Sequence, residues 1–109
     1  MMKRYTVIFT PRALRQLDKL YGYIAGHSGE TRAENFTGRI VAECQSLSIF
    51  PERGAKRDDI RPDLRTMGFE RSATIAFSVN TGTGRVAIHG VFYGGQDFET
   101  ALRETESDE

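Results

Sequence analysis

Three side chains in the second half of this 109-residue chain belong to the types that metal-free cleavage of RNA uses: His89, Tyr93 and Arg65. An imidazole can activate a 2′-hydroxyl, a guanidinium can stabilise the phosphorane, and a phenol or imidazolium can protonate the leaving oxygen. Arg57, Arg61 and Arg71 are candidate neighbours. The groups flanking His89 and Tyr93 weaken that reading: Ala76, Ala87 and Val91 are apolar, and lysine occurs only at Lys3, Lys19 and Lys56. A nuclease needs a geometrically complete constellation, and one histidine on a strand is more simply a structural or interface residue. No metal site and no cofactor site is expected. His27, His89 and the single Cys44 do not make a ligand set. Neither a phosphate-cradling glycine loop nor a nucleophile elbow occurs.

These residues lie on segments whose periodicity is legible. Residues 4–10 (RYTVIFT) read as a first strand. Thr10 caps a helix that has Pro11 at its first position, where the missing N–H costs nothing. Leu14, Leu17, Tyr21 and Ile24 form its apolar stripe, and Gly26, Ser28 and Gly29 end it. Thr31 and Glu34 predict a capping box for a second helix with the stripe Ala33, Phe36, Ile40, Cys44 and Leu47. Residues 51–63 form a charged connection. Strands follow at 64–69, 72–79 and 85–93, the last two joined by a hairpin loop over Asn80–Gly84. Residues 96–103 predict a short closing helix. The fold class is therefore α+β, ordered βααβββ: an N-terminal strand, an αα-hairpin on one face of a mostly antiparallel sheet, and a short C-terminal helix. One domain is expected over 1–103, followed by a frayed acidic tail over 104–109.

Strict alternation divides the sheet into two faces. Ala73, Ile75, Phe77 and Val79 point one way, and with Val86, Ile88 and Phe92 they should pack under the helices. Thr74, Ala76, Ser78, Ala87, His89, Val91 and Tyr93 are left on the other side. That face is too small for a second core and too apolar for solvent. It reads as a groove that another chain could approach closely, or as a shallow surface covered by the chain's own tail.

The formal charge is zero, but it is unevenly spread. From Asp97 onward six acids face Arg103 alone, a local net charge of −5 that leaves the body at +5. Nothing approaches the roughly 20 apolar residues of a membrane span. The opening Met-Met-Lys-Arg runs straight into the first strand, so the expected address is the cytoplasm.

Four stretches, in this order and spacing, resemble the RelE/ParE toxin superfamily: FTPRALRQLDKLYGYI, LSIFPERGAKRDDIRPDLR, TIAFSV and VAIHGVFYGGQDFE. The pairing of Phe-Pro-x-Arg-Gly (50–54) with Ile-Arg-Pro-x-Leu-Arg (60–65) is similar to the ParE branch. The resemblance implies a toxin of a type II toxin–antitoxin system that inhibits DNA gyrase. It implies neutralisation by a ParD-like antitoxin, two toxins with two antitoxins, and no sequence-specific DNA binding by this chain. On that basis Arg57, Arg61 and Arg65 become anchors for antitoxin carboxylates, to which guanidinium binds bidentately. The plainer alternative for this loop is local pairing with Glu52, Asp58, Asp59 and Asp63. Thr74, Ala76, Ala87, His89, Val91 and Tyr93 become the antitoxin groove. The sibling RelE branch supplies the alternative function, ribosome-dependent mRNA cleavage through His89, Tyr93 and Arg65.

Overall fold

The structure, a computed structural model, describes residues 4–94 and 96–103. The elements run β1 (Thr6–Phe9), α1 (Pro11–Ser28), α2 (Glu30–Gln45), a 3-10 turn (Ser46–Ser48), β2 (Ala55–Lys56), β3 (Leu64–Phe69), β4 (Ala73–Asn80), β5 (Arg85–Tyr93) and α3 (Phe98–Arg103). The five strands form one sheet in the order β1-β5-β4-β3-β2. Only β1, parallel to β5, departs from the antiparallel pattern. The α+β class and its element order agree with the sequence reading; the two-residue β2 was not anticipated. The expected tail over 104–109 lies outside the described residues. Among the described residues no helix is long and apolar enough to cross a membrane.

Thr10 is the pivot between β1 and α1. Its hydroxyl oxygen accepts the Ala13 amide at 3.2 Å, and its own N–H and O–H both donate to the Ile88 carbonyl, at 3.1 and 3.0 Å. This tether fixes the rotation of α1. Ala13 and Leu20 are buried, with Leu17 and Ile24 beside them, whereas Leu14 is 51% exposed and Tyr21 half-buried. Of the expected stripe, Leu17 and Ile24 thus face the core, Tyr21 is only half-buried and Leu14 is turned to the outside. Periods of three and four fit both registers equally well, and the bond to β5 selects one. The Thr31 capping box does not form either: α2 already begins at Glu30, entered through Gly29 at φ +98°. Ala33, Ile40, Cys44 and Leu47 are buried as expected.

The main core lies between the helical hairpin and one face of the sheet, here called the hairpin face. A second, smaller core lies on the far face, where Leu64, Ala76 and Phe92 pack beneath Leu102 of α3. Leu102 is fully buried, and burying such a side chain stabilises by roughly 1.5–3 kcal/mol.

The Phe-Pro-x-Arg-Gly stretch is a joint between α2 and the sheet. Arg53 donates to Glu43 at 2.5 Å and to the Ser46 hydroxyl at 2.8 Å. Gly54 takes φ +75°, and a β-carbon there would run into the Thr66 carbonyl oxygen. Only glycine suits both demands.

Candidate functional site

A bulge decides which side chains share a face. Ala76 pairs with Gly90 and the next residue, Phe77, with Ile88, so His89 is an extra residue in β5. Beyond it the alternation of β5 is inverted. Val91 and Tyr93 thus lie opposite Ile75 and Ala73 on the hairpin face, and Phe92 moves to the far face beside Ala76. Two bonds from the helical layer hold the irregularity: Thr10 to Ile88, and the Gln16 side-chain carbonyl, which accepts the Val91 amide at 2.7 Å. At Gly90 a β-carbon would come within 2.6 Å of the Phe92 ring and 3.0 Å of the Gln16 oxygen.

The expected single groove is therefore two separate places. Thr74, Ala76, Ala87 and His89 remain on the far face, while Val91 is 2% exposed in the main core and Tyr93 is half-buried against it. Even the far-face set is not an open groove. Ala76 is fully buried under α3, so a segment of the chain itself covers that half. The other half, towards β1, leaves Ile8 41% exposed beside its register partner Ala87.

The nuclease trio is divided in the same way. His89 is 7% exposed, and its Nε2 lies 2.8 Å from the Ser78 hydroxyl on the far face. Tyr93 is on the hairpin face, with ring centroids 6.2 Å from Tyr23 and 5.9 Å from Phe36. Arg65 pairs in register with Phe77, also on the hairpin side, and donates to the Arg53 carbonyl at 3.3 Å. A sheet separates the imidazole from the other two, so these three cannot converge on one phosphate.

The loop arginines divide as well. Arg57 donates to Asp59 at 2.9 Å and to Glu99 at 2.7 Å, with its guanidinium 6.0 Å from the centre of the Phe98 ring. It clamps α3 to the 55–63 connection. Donating hydrogen bonds to Asp59 and Glu99 raises its already high pKa, and the bond it donates holds the Asp59 carboxyl below the usual range. Arg61 is half-buried in the same loop, its amide bonded to the Arg57 carbonyl at 3.2 Å. Arg65 borders a 320 Å³ cleft with Glu52, Lys56, Asp58, Asp63 and Asn80. Local pairing thus accounts for Arg57 without any partner. Among the described residues no group of His, Cys, Asp and Glu could hold a metal.

Tyr93 forms a wall common to three clefts. One, of 530 Å³, lies at the tip of the helical hairpin between Tyr23, His27, Arg32, Phe36 and Arg39. A second, of 230 Å³, follows α1 past Lys19, Leu20 and Val91 to Gln96. The third, of 520 Å³, lies at the β3–β4 turn between Arg71, Ser72 and Thr74.

The family profile described as the ParE toxin of type II toxin–antitoxin systems, parDE, matches residues 7–98. The chain belongs to the ParE toxin family. In fold it is similar to the chromosomal ParDE system of P. aeruginosa, at 23% identity and TM-score 0.71, covering 84% of this chain and 97% of that one. It is also similar to the RelBE2 toxin–antitoxin complex of Mycobacterium tuberculosis, at 22% identity and TM-score 0.62, covering 88% and 98%. A free-state mutant of E. coli toxin RelE matches at 20% identity and TM-score 0.56, covering 93% and 95%. Among curated protein sequences none matches significantly.

In this ParE-family chain the sequence reading found Tyr93 but not the residues grouped around it. Tyr23, which the apolar stripe of α1 does not include, is 55% exposed. The signal was the α1 register. With Ala13, Leu17, Leu20 and Ile24 facing inward, position 23 falls outside the stripe.

Proposed function

We propose that the chain is a non-enzymatic toxin that inhibits DNA gyrase in the cytoplasm and is neutralised by a ParD-like antitoxin, two toxins binding two antitoxins. The observation that carries this reading is the ParE family match across residues 7–98. The similar solved structures include ParDE and RelBE assemblies, which supports an antitoxin as partner. The non-enzymatic side of the reading is supported by the separation of His89 from Tyr93 and Arg65. A ribosome-dependent nuclease built on that trio would need them within reach of one phosphate, and the bulge sets them on opposite faces.

Two cell-free assays on the purified toxin, free of antitoxin, test the reading: gyrase supercoiling and cleavage of ribosome-bound messenger. Blocked supercoiling with intact messenger is the expected result, and adding a ParD-like antitoxin should restore supercoiling. Cleaved messenger with unaffected gyrase would overturn it.

A further inference from the structure

The last part of β5 is a sheet edge. β1 stops at Phe9, opposite Ile88, whereas β5 continues to Tyr93. Among the described residues, then, no strand lies beside Val91–Tyr93 on that side. The run from Val86 to Tyr93, VAIHGVFY, contains no Asp, Glu, Lys, Arg or Pro. Apolar, β-prone and uncharged, it is the kind of segment that pairs with its own copies when its edge is free. The two outer strands of the sheet are short, four residues in β1 and two in β2, and shortness by itself limits pairing there.

Two side chains close the β5 edge. The amides of Val91 and Tyr93 point away from β4, and each donates to a glutamine side-chain carbonyl, Gln16 Oε1 and Gln96 Oε1, both at 2.7 Å. A carboxamide oxygen has the chemistry of a peptide carbonyl. Two of them, on amides two residues apart, stand where the carbonyls of an added strand would. The caps are held differently. Gln16 belongs to α1 and its bond is partly buried, whereas Gln96 follows Gly94, where φ +69° turns the chain out of β5, and its bond is exposed. Lys19 shares with both glutamines the 230 Å³ cleft beside this edge.

We propose that Gln96, with Gln16 and Lys19, is an edge guard: its side chain occupies the Tyr93 amide and keeps β5 from pairing with β5 of a second copy of this chain. Gln16 also holds the bulge, so Gln96 is the cap whose role is at the edge alone. Pairing about a two-fold axis would present the same edge from both copies. It would bring two Lys19 ammonium groups together, and like charges across a strand pair oppose it.

The test is size-exclusion chromatography with light scattering on the purified full chain, up to about 100 µM, a concentration at which free strand edges associate. The wild-type chain should keep the monomer mass, and Gln96→Ala should form a dimer. Adding Lys19→Ala to Gln96→Ala should tighten that dimer by about 3-fold. Gln96→Glu keeps an acceptor on the Tyr93 amide and should stay monomeric. Gln45→Ala, at an exposed glutamine of α2, is the control and should do the same. Circular dichroism verifies the fold of each variant. Hydrogen exchange separates strand pairing from loss of structure: in Gln96→Ala the Tyr93 amide should be unprotected in dilute solution and become protected as the dimer forms. A folded Gln96→Ala that remains monomeric overturns the proposal, as does a wild-type chain that dimerises equally well. Association that leaves the Tyr93 amide unprotected places the contact elsewhere and overturns it too.

Discussion

The Gln16 side-chain carbonyl accepts the Val91 amide at 2.7 Å, across 75 residues of chain. That bond supplies a partner for an amide that the bulge at His89 withdraws from the β4–β5 ladder. It also places Tyr93 under the helical hairpin, because every residue of β5 beyond the bulge has exchanged faces. The position of the clefts around Tyr93 therefore depends on a glutamine in α1.

Replacing Gln16 by Met keeps the volume but leaves the Val91 amide without its acceptor, buried in the core. We expect a loss of about 1–3 kcal/mol in unfolding free energy, the usual cost of an orphaned buried donor. Urea denaturation followed by circular dichroism measures it. Unchanged stability would mean that the bulge is held by Thr10 alone.

Ala76 and Ala87 looked equivalent in the alternation of the strands, and the structure separates them. Ala76 is fully buried between Leu64, Phe92 and Leu102, whereas Ala87 is only partly covered. Ala76→Trp should overpack the second core and destabilise by at least about 1–3 kcal/mol. Ala87→Trp should fold with near wild-type stability. Thermal melts of the two variants decide this, and equal melting temperatures would contradict the α3 packing.

The clamp on α3 should weaken in acid. Asp59 has its pKa depressed first by the hydrogen bond from Arg57, then by the charges of Arg57 and Arg103. A depressed folded-state pKa gives a contribution fully present above the unfolded value and lost as pH falls through the folded one. The window is thus below about pH 4. The protection factors of the Ala101 and Leu102 amides, measured against the intrinsic exchange rate at each pH, should fall there in the wild-type chain. Asp59→Asn should already show low protection at pH 6, with little further change on acidification. Leu102→Ala, which removes the apolar anchor, should cost about 2–5 kcal/mol. Protection factors that do not change with pH in the wild-type chain would remove Asp59 from the clamp.

Much of the fold is decided locally and is readable in the sequence. The Thr10–Pro11 helix start, the stripe from Ala33 to Leu47 and the Asn80–Gly84 turn each depend on neighbours within a few residues. Their order on the chain is enough to reveal the α+β class and the ParE resemblance. The rotation of α1 and the faces of β5 were not readable, for a common reason. Period-three-and-four spacing fits the Leu14 register as well as the Ala13 register, and strict alternation fits residues 85–93 without any bulge. Each choice is made by a bond to a residue far along the chain, Thr10 to Ile88 and Gln16 to Val91. Tertiary contact alone thus separated His89 from Tyr93, closed the far face with α3, and gathered Tyr23, Arg32 and Arg71 around Tyr93.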